Sequence, residues 1–112
     1  MLDLSRLEEA FEDDAGGIAD LLEMALETGK KHRAALEQGL ASGDALVVAR
    51  AAHGIKGSAG TIGATDVYRL ATELDASART GDLDGARERV DAIGAAYARV
   101  AEEVRAYRAA LP

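Results

Sequence analysis

The chain has no cysteine and no tryptophan, and its only proline is the last residue, Pro112. The absence of cysteine excludes disulfide bonds and every site that needs a thiolate. Because no proline stands before residue 112, no helix in the chain is ended or kinked by proline. One phenylalanine and three tyrosines are the only aromatic residues, so the core must be built mainly from aliphatic and small side chains.

Long hydrophobic runs are missing, and positive charge is in the minority. No apolar stretch approaches the roughly 18 residues typical of a transmembrane helix. Thirteen basic residues face 20 acidic ones, and the net charge of −7 argues against nucleic-acid binding, which normally needs a basic surface. The N-terminal sequence MLDLSRLEEAFEDD is acidic and amphipathic, unlike a signal peptide. We therefore expect a soluble, cytoplasmic protein that contacts neither nucleic acid nor a membrane.

What the chain does contain is typical of a helical domain. Alanine is abundant, and leucine, glutamate and arginine are common, all of which favour helices. The length of 112 residues fits one domain. No linker, repeat or low-complexity tract divides it, so we expect a single domain over residues 1–112.

Hydrophobic spacing and a few break signals divide the chain into helices. Gly43-Asp44 and Gly81-Asp82 each combine a glycine that can end one helix with an aspartate that can cap the next. Apolar residues recur at helical spacing between these breaks. The predicted helices cover roughly residues 4–11, 14–41, 44–62, 65–79 and 83–107. Because the connections are short, we expect an all-α fold, an antiparallel up-down four-helix bundle with a short additional N-terminal helix.

Residues 53–64 read HGIKGSAGTIGA, with a glycine at every third position from Gly54 to Gly63. A phosphate-binding loop of the GxxxxGK[ST] type would need a preceding strand and a lysine after its glycines, and neither is present. An apolar stripe from Val48 through Ile55 to Ile62 continues through the glycines in helical register. We therefore interpret the segment as helix, although each interior glycine weakens a helix by about 1 kcal/mol.

A second face of this helix carries Arg50, His53, Lys56, Gly57 and Gly60, because successive residues turn by about 100°. Lys56 neighbours His53, and Gly57 removes side-chain bulk one turn beyond the ring. A neutral imidazole is a nucleophile near neutral pH. A phosphoryl group in transfer carries negative charge that a nearby ammonium can stabilise. The pattern favours phosphoryl transfer to His53, with Lys56 stabilising charge and Gly57 giving clearance.

These residues resemble the signature of histidine-containing phosphotransfer domains. The motif of that family is a histidine, a lysine three residues later, a glycine directly after the lysine, small residues, and an end of hydrophobe, glycine and alanine. The matching residues here are His53, Lys56, Gly57, Ser58, Ala59, Gly60 and Ile62-Gly63-Ala64. The resemblance extends over nearly the whole chain. Gly54 departs from the pattern, since a better helix former is common there, and we expect it to loosen the helix locally.

The resemblance implies a phosphorelay intermediate. A phosphoryl group would reach His53 Nε2 from an aspartate on a receiver domain and leave to an aspartate on another. The partners would be response-regulator receiver domains and a hybrid sensor histidine kinase. The receiver would hold the Mg²⁺, and the chain itself would have no cofactor, nucleotide site or kinase activity.

The resemblance also implies a partner surface around the histidine, formed by the second and third helices and flanked by the first. Arg50 and Gly60 would belong to this surface. By their positions, four residues could form its apolar part, although they also fit core positions. These are Leu7, Phe11, Ile18 and Leu22.

The other histidine and the tyrosines carry weaker signals. His32 lacks the lysine and glycine offsets of His53, so we expect a solvent-exposed side chain without a functional role. Tyr68, Tyr97 and Tyr107 lie at or near apolar stripes, and we expect them to pack with their hydroxyls in water. The two histidines form no HxxxH or ExxH pair, and we therefore expect no metal site.

Two other functions stay open at this stage. A non-catalytic adaptor that binds a receiver or kinase partner would explain the amphipathic helices, but not the combination of His53, Lys56 and Gly57. The dimeric histidine-bearing hairpin of a sensor kinase needs a second subunit to complete four helices. Because this chain supplies four helices from one copy, we expect a monomer.

Overall fold

The computed structural model describes residues 2–112, which form five helices. Helices α2 to α5 pack side by side so that each contacts the next and α5 contacts α2, while α1 packs against α2. The predicted all-α bundle is confirmed. The helices are α1 (Ser5–Ala10), α2 (Ala15–Ser42), α3 (Ala45–Ile62), α4 (Thr65–Arg79) and α5 (Ala86–Ala109).

Left-handed glycines and one aspartate cap produce the tight turns on either side of α3. Gly43 ends α2 with φ 67°, and Gly63 ends α3 with φ 70°, a region that favours glycine. The Asp44 side chain accepts a hydrogen bond from the Val47 N–H at 3.2 Å and caps α3, as predicted. These short turns place α3 between α2 and α4, with one side of α3 left free.

The start of α5 differs from the prediction. The helix begins at Ala86 rather than at Leu83, because Gly85 precedes it in the left-handed conformation with φ 73°. The Asp82 side chain accepts from the Asp84 N–H at 2.9 Å, so Asp82 stabilises the turn instead of capping the helix. Leu83 still packs against the core from this turn.

The core of the bundle is aliphatic, as the composition requires. Within residues 2–112, Asp75 is the single charged residue in the buried class. None of the helices in this part of the chain has the length and apolar character needed to cross a bilayer. The largest side chains without exposed surface are Ile18, Leu22, Leu36, Val48, Ile55, Ile62, Val67, Leu74 and Ile93.

The segment before α1 crosses one end of the bundle. The Asp3 N–H donates to the Gly63 carbonyl at 2.9 Å. The Leu2 N–H donates to Glu103 Oε1 at 3.0 Å, which ties the segment to α5. These contacts hold Leu2 and Asp3 near the α3–α4 turn, at the far end of α3 from Asp44.

Candidate functional site

His53 lies in the middle of α3, on the side that none of the other helices within residues 2–112 covers. Its side chain is 64% exposed. One turn later, a Cβ atom added at Gly57 would meet no atom of the described residues 2–112 within 4 Å outside its own stretch of helix. The imidazole therefore projects from a continuous helix into solvent, with open space beside it, as the sequence predicts.

Asp75 of α4 lies behind the imidazole and was missed by the sequence analysis. Its Oδ2 atom is 3.5 Å from His53 Nδ1, and its side chain is only 9% exposed. A carboxylate at this position favours the tautomer with the proton on Nδ1. The Nε2 atom on the opposite side of the ring then keeps its lone pair available for reaction.

Arg79, one turn after Asp75, anchors the buried carboxylate. Its Nε atom is 2.9 Å from Asp75 Oδ1, and its Nη2 atom donates to Oδ2 at 3.4 Å. A buried charge needs such a partner to offset its lost hydration. Among the described residues, Oδ1 accepts no well-oriented hydrogen bond, so the contact at this oxygen is mainly electrostatic.

A helical wheel of α4 shows how Asp75 and Arg79 could have been found from the sequence. The buried residues of α4 include Ala71, Leu74, Asp75 and Ala78. Asp75 is therefore a carboxylate on an inward stripe of otherwise small and aliphatic residues, and an arginine follows it four residues later. An inward carboxylate of this kind needs a polar partner, and His53 and Arg79 are its partners in the structure.

Lys56 is half-buried at the edge of α3 that faces α4. Its Nζ atom lies 5.9 Å from the centroid of the Tyr68 ring. Tyr68 is 42% exposed and does not fill the core. The ring lies against Gly60 instead, where an added Cβ would be 3.4 Å from Tyr68 Cε2.

His32 of α2 is half-buried, which contradicts the expectation of a solvent-exposed side chain. Its ring lies over Gly54, and a Cβ atom there would come 2.5 Å from His32 Cε1. The glycine directly after His53 therefore makes room for a side chain from the neighbouring helix. The departure of Gly54 from the family pattern is therefore explained by its packing against His32 of α2.

The predicted partner-binding residues divide into two groups by their exposure. Arg50 is exposed on the same face as His53, and Phe11 and Gly60 are half-buried, so their proposed contacts stay predictions. The prediction is wrong for Leu7, Ile18 and Leu22, which are 7%, 0% and 0% exposed. Their side chains fill the core and present almost no surface to a partner.

Leu46 supplies apolar surface at a different place. It is 57% exposed and stands two turns before His53 on the same side of α3. Metal-ligating side chains do not gather here: no group of three or more such residues is arranged to bind an ion anywhere in residues 2–112. The site thus consists of one exposed imidazole, a buried carboxylate, a lysine and a bare stretch of helix.

Comparison with known families and structures agrees with this geometry. The model of the Hpt domain family matches residues 20–107. The fold is similar to the crystal structure of histidine-containing phosphotransfer protein B (HptB) from Pseudomonas aeruginosa PAO1, with a TM-score of 0.84 and 27% sequence identity over 99% of this chain and 96% of that chain. No curated protein sequence matches the chain. The matched residues include all of α3 and α4, which carry the imidazole, the lysine and the buried carboxylate, and the chain belongs to the Hpt domain family of histidine phosphotransfer proteins.

Proposed function

We propose that His53 is the phosphoacceptor of a phosphorelay, receiving a phosphoryl group from an aspartate on one receiver domain and passing it to an aspartate on another. The observation that carries the proposal is the arrangement of the ring. The side chain is 64% exposed while its Nδ1 atom is 3.5 Å from the buried Asp75 carboxylate. A nucleophile needs this combination of access and fixed orientation.

The transfer can be followed atom by atom. The Nε2 lone pair of His53 attacks the phosphorus of an aspartyl phosphate, the bond from phosphorus to the carboxyl oxygen breaks, and the carboxylate returns to the receiver. Nδ1 keeps its proton, so the ring gains positive charge, which Asp75 balances. In the onward step, a carboxylate of the second receiver attacks the phosphorus, the N–P bond breaks, and His53 becomes neutral again.

Lys56 supports the same step by stabilising the charge on the transferred group. Negative charge spreads over three phosphoryl oxygens in the transition state. A lysine ammonium is a compact positive charge on a flexible stem, and Lys56 stands one helical turn from His53. In this proposal the chain contributes no nucleotide site, and the Mg²⁺ belongs to the receiver domain.

The receiver-binding surface is proposed to be the free side of α3. It combines the apolar side chain of Leu46 and the cation of Arg50 with the open backbone at Gly57, all on the side that presents His53. The partners are response-regulator receiver domains and the receiver of a hybrid sensor histidine kinase, each binding one copy of this chain. Because several core residues first assigned to this surface are buried, Leu46 takes their place as its apolar part.

The test compares the two histidines of the chain as matched variants. A receiver domain is phosphorylated with acetyl phosphate in the presence of Mg²⁺ and mixed with wild type, His53→Gln and His32→Gln. We expect acid-labile, base-stable label on wild type and on His32→Gln, and none on His53→Gln, with the same helical circular dichroism in all three. Full labelling of His53→Gln would overturn the proposal, and receiver binding without any label would favour the adaptor function.

A further inference from the structure

We propose that Tyr68 is a positioning residue that holds the Lys56 ammonium beside His53. This inference rests on the proposed function and adds to it a residue that acts through the lysine. Tyr68 belongs to α4 and stands 15 residues after His53 in the sequence. It is also one of only three large hydrophobic side chains in the exposed class among the described residues.

A lysine that assists transfer must be confined without losing its charge. A free lysine side chain gives up as much as ~2 kcal/mol of conformational entropy when it is ordered. A contact already present before the donor arrives lowers that loss at the moment of transfer. A carboxylate partner would also confine the ammonium, but it would compete directly with the phosphoryl oxygens.

Lys56 differs in this respect from most cations of the bundle. None of the ion pairs found within residues 2–112 includes Lys56, although acidic residues outnumber basic ones by 20 to 13. Its contact is the Tyr68 ring at 5.9 Å. The cations that do pair with carboxylates include Lys30, Arg69, Arg79, Arg87, Arg99, Arg105 and Arg108.

The ring is a suitable partner because its attraction is weak and leaves the ammonium donors free. An exposed contact between a cation and an aromatic face is worth about 0.5–1 kcal/mol. Hydrogen bonds from an ammonium to phosphate oxygens are stronger than this. The Lys56 ammonium can therefore stay in contact with the ring until the donor binds. It can then move to the phosphoryl oxygens without breaking a strong contact.

Gly60 lies beneath the Tyr68 ring. Gly60 follows Lys56 by four residues and therefore lies on the same side of α3. An added Cβ at Gly60 would be 3.4 Å from Tyr68 Cε2 and 3.5 Å from Cδ2. The ring thus rests on bare helix next to the lysine, at ordinary van der Waals distance from where an alanine Cβ would stand. We assign Gly60 to this contact in addition to its expected place at the partner surface.

Phosphoramidate is the probe that separates positioning from docking, because so small a donor has no receiver surface to dock. Its N–P bond breaks, ammonia leaves from the zwitterion, and the phosphoryl group forms a bond to His53. The rate is read by mass spectrometry of the peptide that contains His53. We expect Tyr68→Leu to slow labelling about two- to fivefold, the equivalent of the ring contact, and Tyr68→Phe to keep the wild-type rate.

The Lys56→Ala background makes the experiment decisive. Tyr68→Leu should slow the reaction no further once the lysine is absent, because the ring acts only through the ammonium. An equal slowing in both backgrounds, or a Tyr68→Phe variant as slow as Tyr68→Leu, would overturn the inference. Failure of the proposed function gives a different result, because neither phosphoramidate nor a phosphorylated receiver would then label His53 of the wild-type protein.

Discussion

The imidazole of His32 packs over the bare backbone of Gly54, the residue next to the exposed His53. An added Cβ at Gly54 would lie 2.5 Å from His32 Cε1, 2.7 Å from Nε2 and 2.9 Å from Nδ1. The two residues are therefore a size-matched pair across the α2–α3 contact. Gly54 weakens α3 locally, but its missing side chain leaves room for the His32 ring of α2.

This pairing predicts non-additive effects on stability. In a His32→Ala background, Gly54→Ala should raise the free energy of unfolding by about 0.5–1 kcal/mol, because alanine is the better helix former. In the wild-type background most of that gain should disappear, because the His32 ring must move. Urea unfolding of the four proteins of this cycle measures the coupling. Additive effects within about 0.3 kcal/mol would show that the ring moves at no cost.

Asp75 should be required for fast transfer. Replacement by asparagine keeps the shape of the side chain but removes the charge that balances the ring as the N–P bond forms. We expect Asp75→Asn to slow single-turnover transfer from a phosphorylated receiver about tenfold or more, which corresponds to ~1.4 kcal/mol in the barrier. Rapid-quench measurements at saturating donor concentration report this chemical step.

Asp91→Asn is the matched control for this prediction. Asp91 is an exposed carboxylate on α5, and its one ion pair with the described residues is a surface pair with Arg87 at 3.6 Å. Such surface pairs contribute little to stability. Its transfer rate should equal that of wild type. A wild-type rate in Asp75→Asn would mean that the carboxylate serves the fold alone.

Gly57 and Gly94 should separate stability from transfer. Both lie within helices, and in the described part of the chain an added Cβ at either position meets no atom within 4 Å beyond its own helical segment. Alanine at either position should raise the free energy of unfolding by about 0.5–1 kcal/mol. Leucine at position 57 should reduce transfer from a phosphorylated receiver strongly, because it fills the space beside His53.

The leucine variant at position 94 is the comparison, since Gly94 stands on α5, away from α3. Gly94→Leu should transfer at the wild-type rate. Equal losses in the two leucine variants would show that the open space at Gly57 has no special part in the reaction.

Tyr97 should make the bundle less stable in alkali. Burial raises the pKa of its hydroxyl above the ordinary value, against a smaller lowering by Arg33, whose guanidinium lies 4.7 Å from the ring centroid. Because the folded-state pKa is the higher one, this contribution is complete below about pH 10 and is lost as the pH rises towards the folded-state pKa. Over that interval the free energy of unfolding should fall by up to ~1.4 kcal/mol per pH unit from this group.

Comparison with Tyr97→Phe isolates this effect from the other groups that titrate in alkali. Urea unfolding from about pH 8 to pH 11 should show a steeper loss in wild type than in the variant. Parallel curves for the two proteins would mean that the Tyr97 hydroxyl ionises equally in the folded and unfolded chain.

The parts of the molecule that sequence alone predicts are those set by local rules. The bounds of α3 follow from Asp44 as its cap and Gly63 as its end, and the exposure of His53 follows from the apolar stripe on the opposite side. A helical wheel is enough for these features, because they depend on neighbours within a few residues. The same holds for the open position of Gly57.

The parts that sequence analysis missed depend on contacts between helices. The pairing of His32 with Gly54 and of His53 with Asp75 requires the relative heights of α2, α3 and α4, which periodicity does not give. Ile18 and Leu22 illustrate a second kind of error, in which core residues were assigned to a partner surface. Their side of α2 is apolar, and apolar residues fit a core and a partner surface equally well until the packing decides between them.

A single reactive ring on a single free side of one helix has a consequence for the order of events in the proposed relay. The receiver that delivers the phosphoryl group and the receiver that removes it must occupy the same space, so each has to depart before the other arrives. The chain then works as a shuttle with alternating half-reactions. An excess of either unphosphorylated receiver slows phosphoryl transfer, because it occupies the surface that the other receiver must bind.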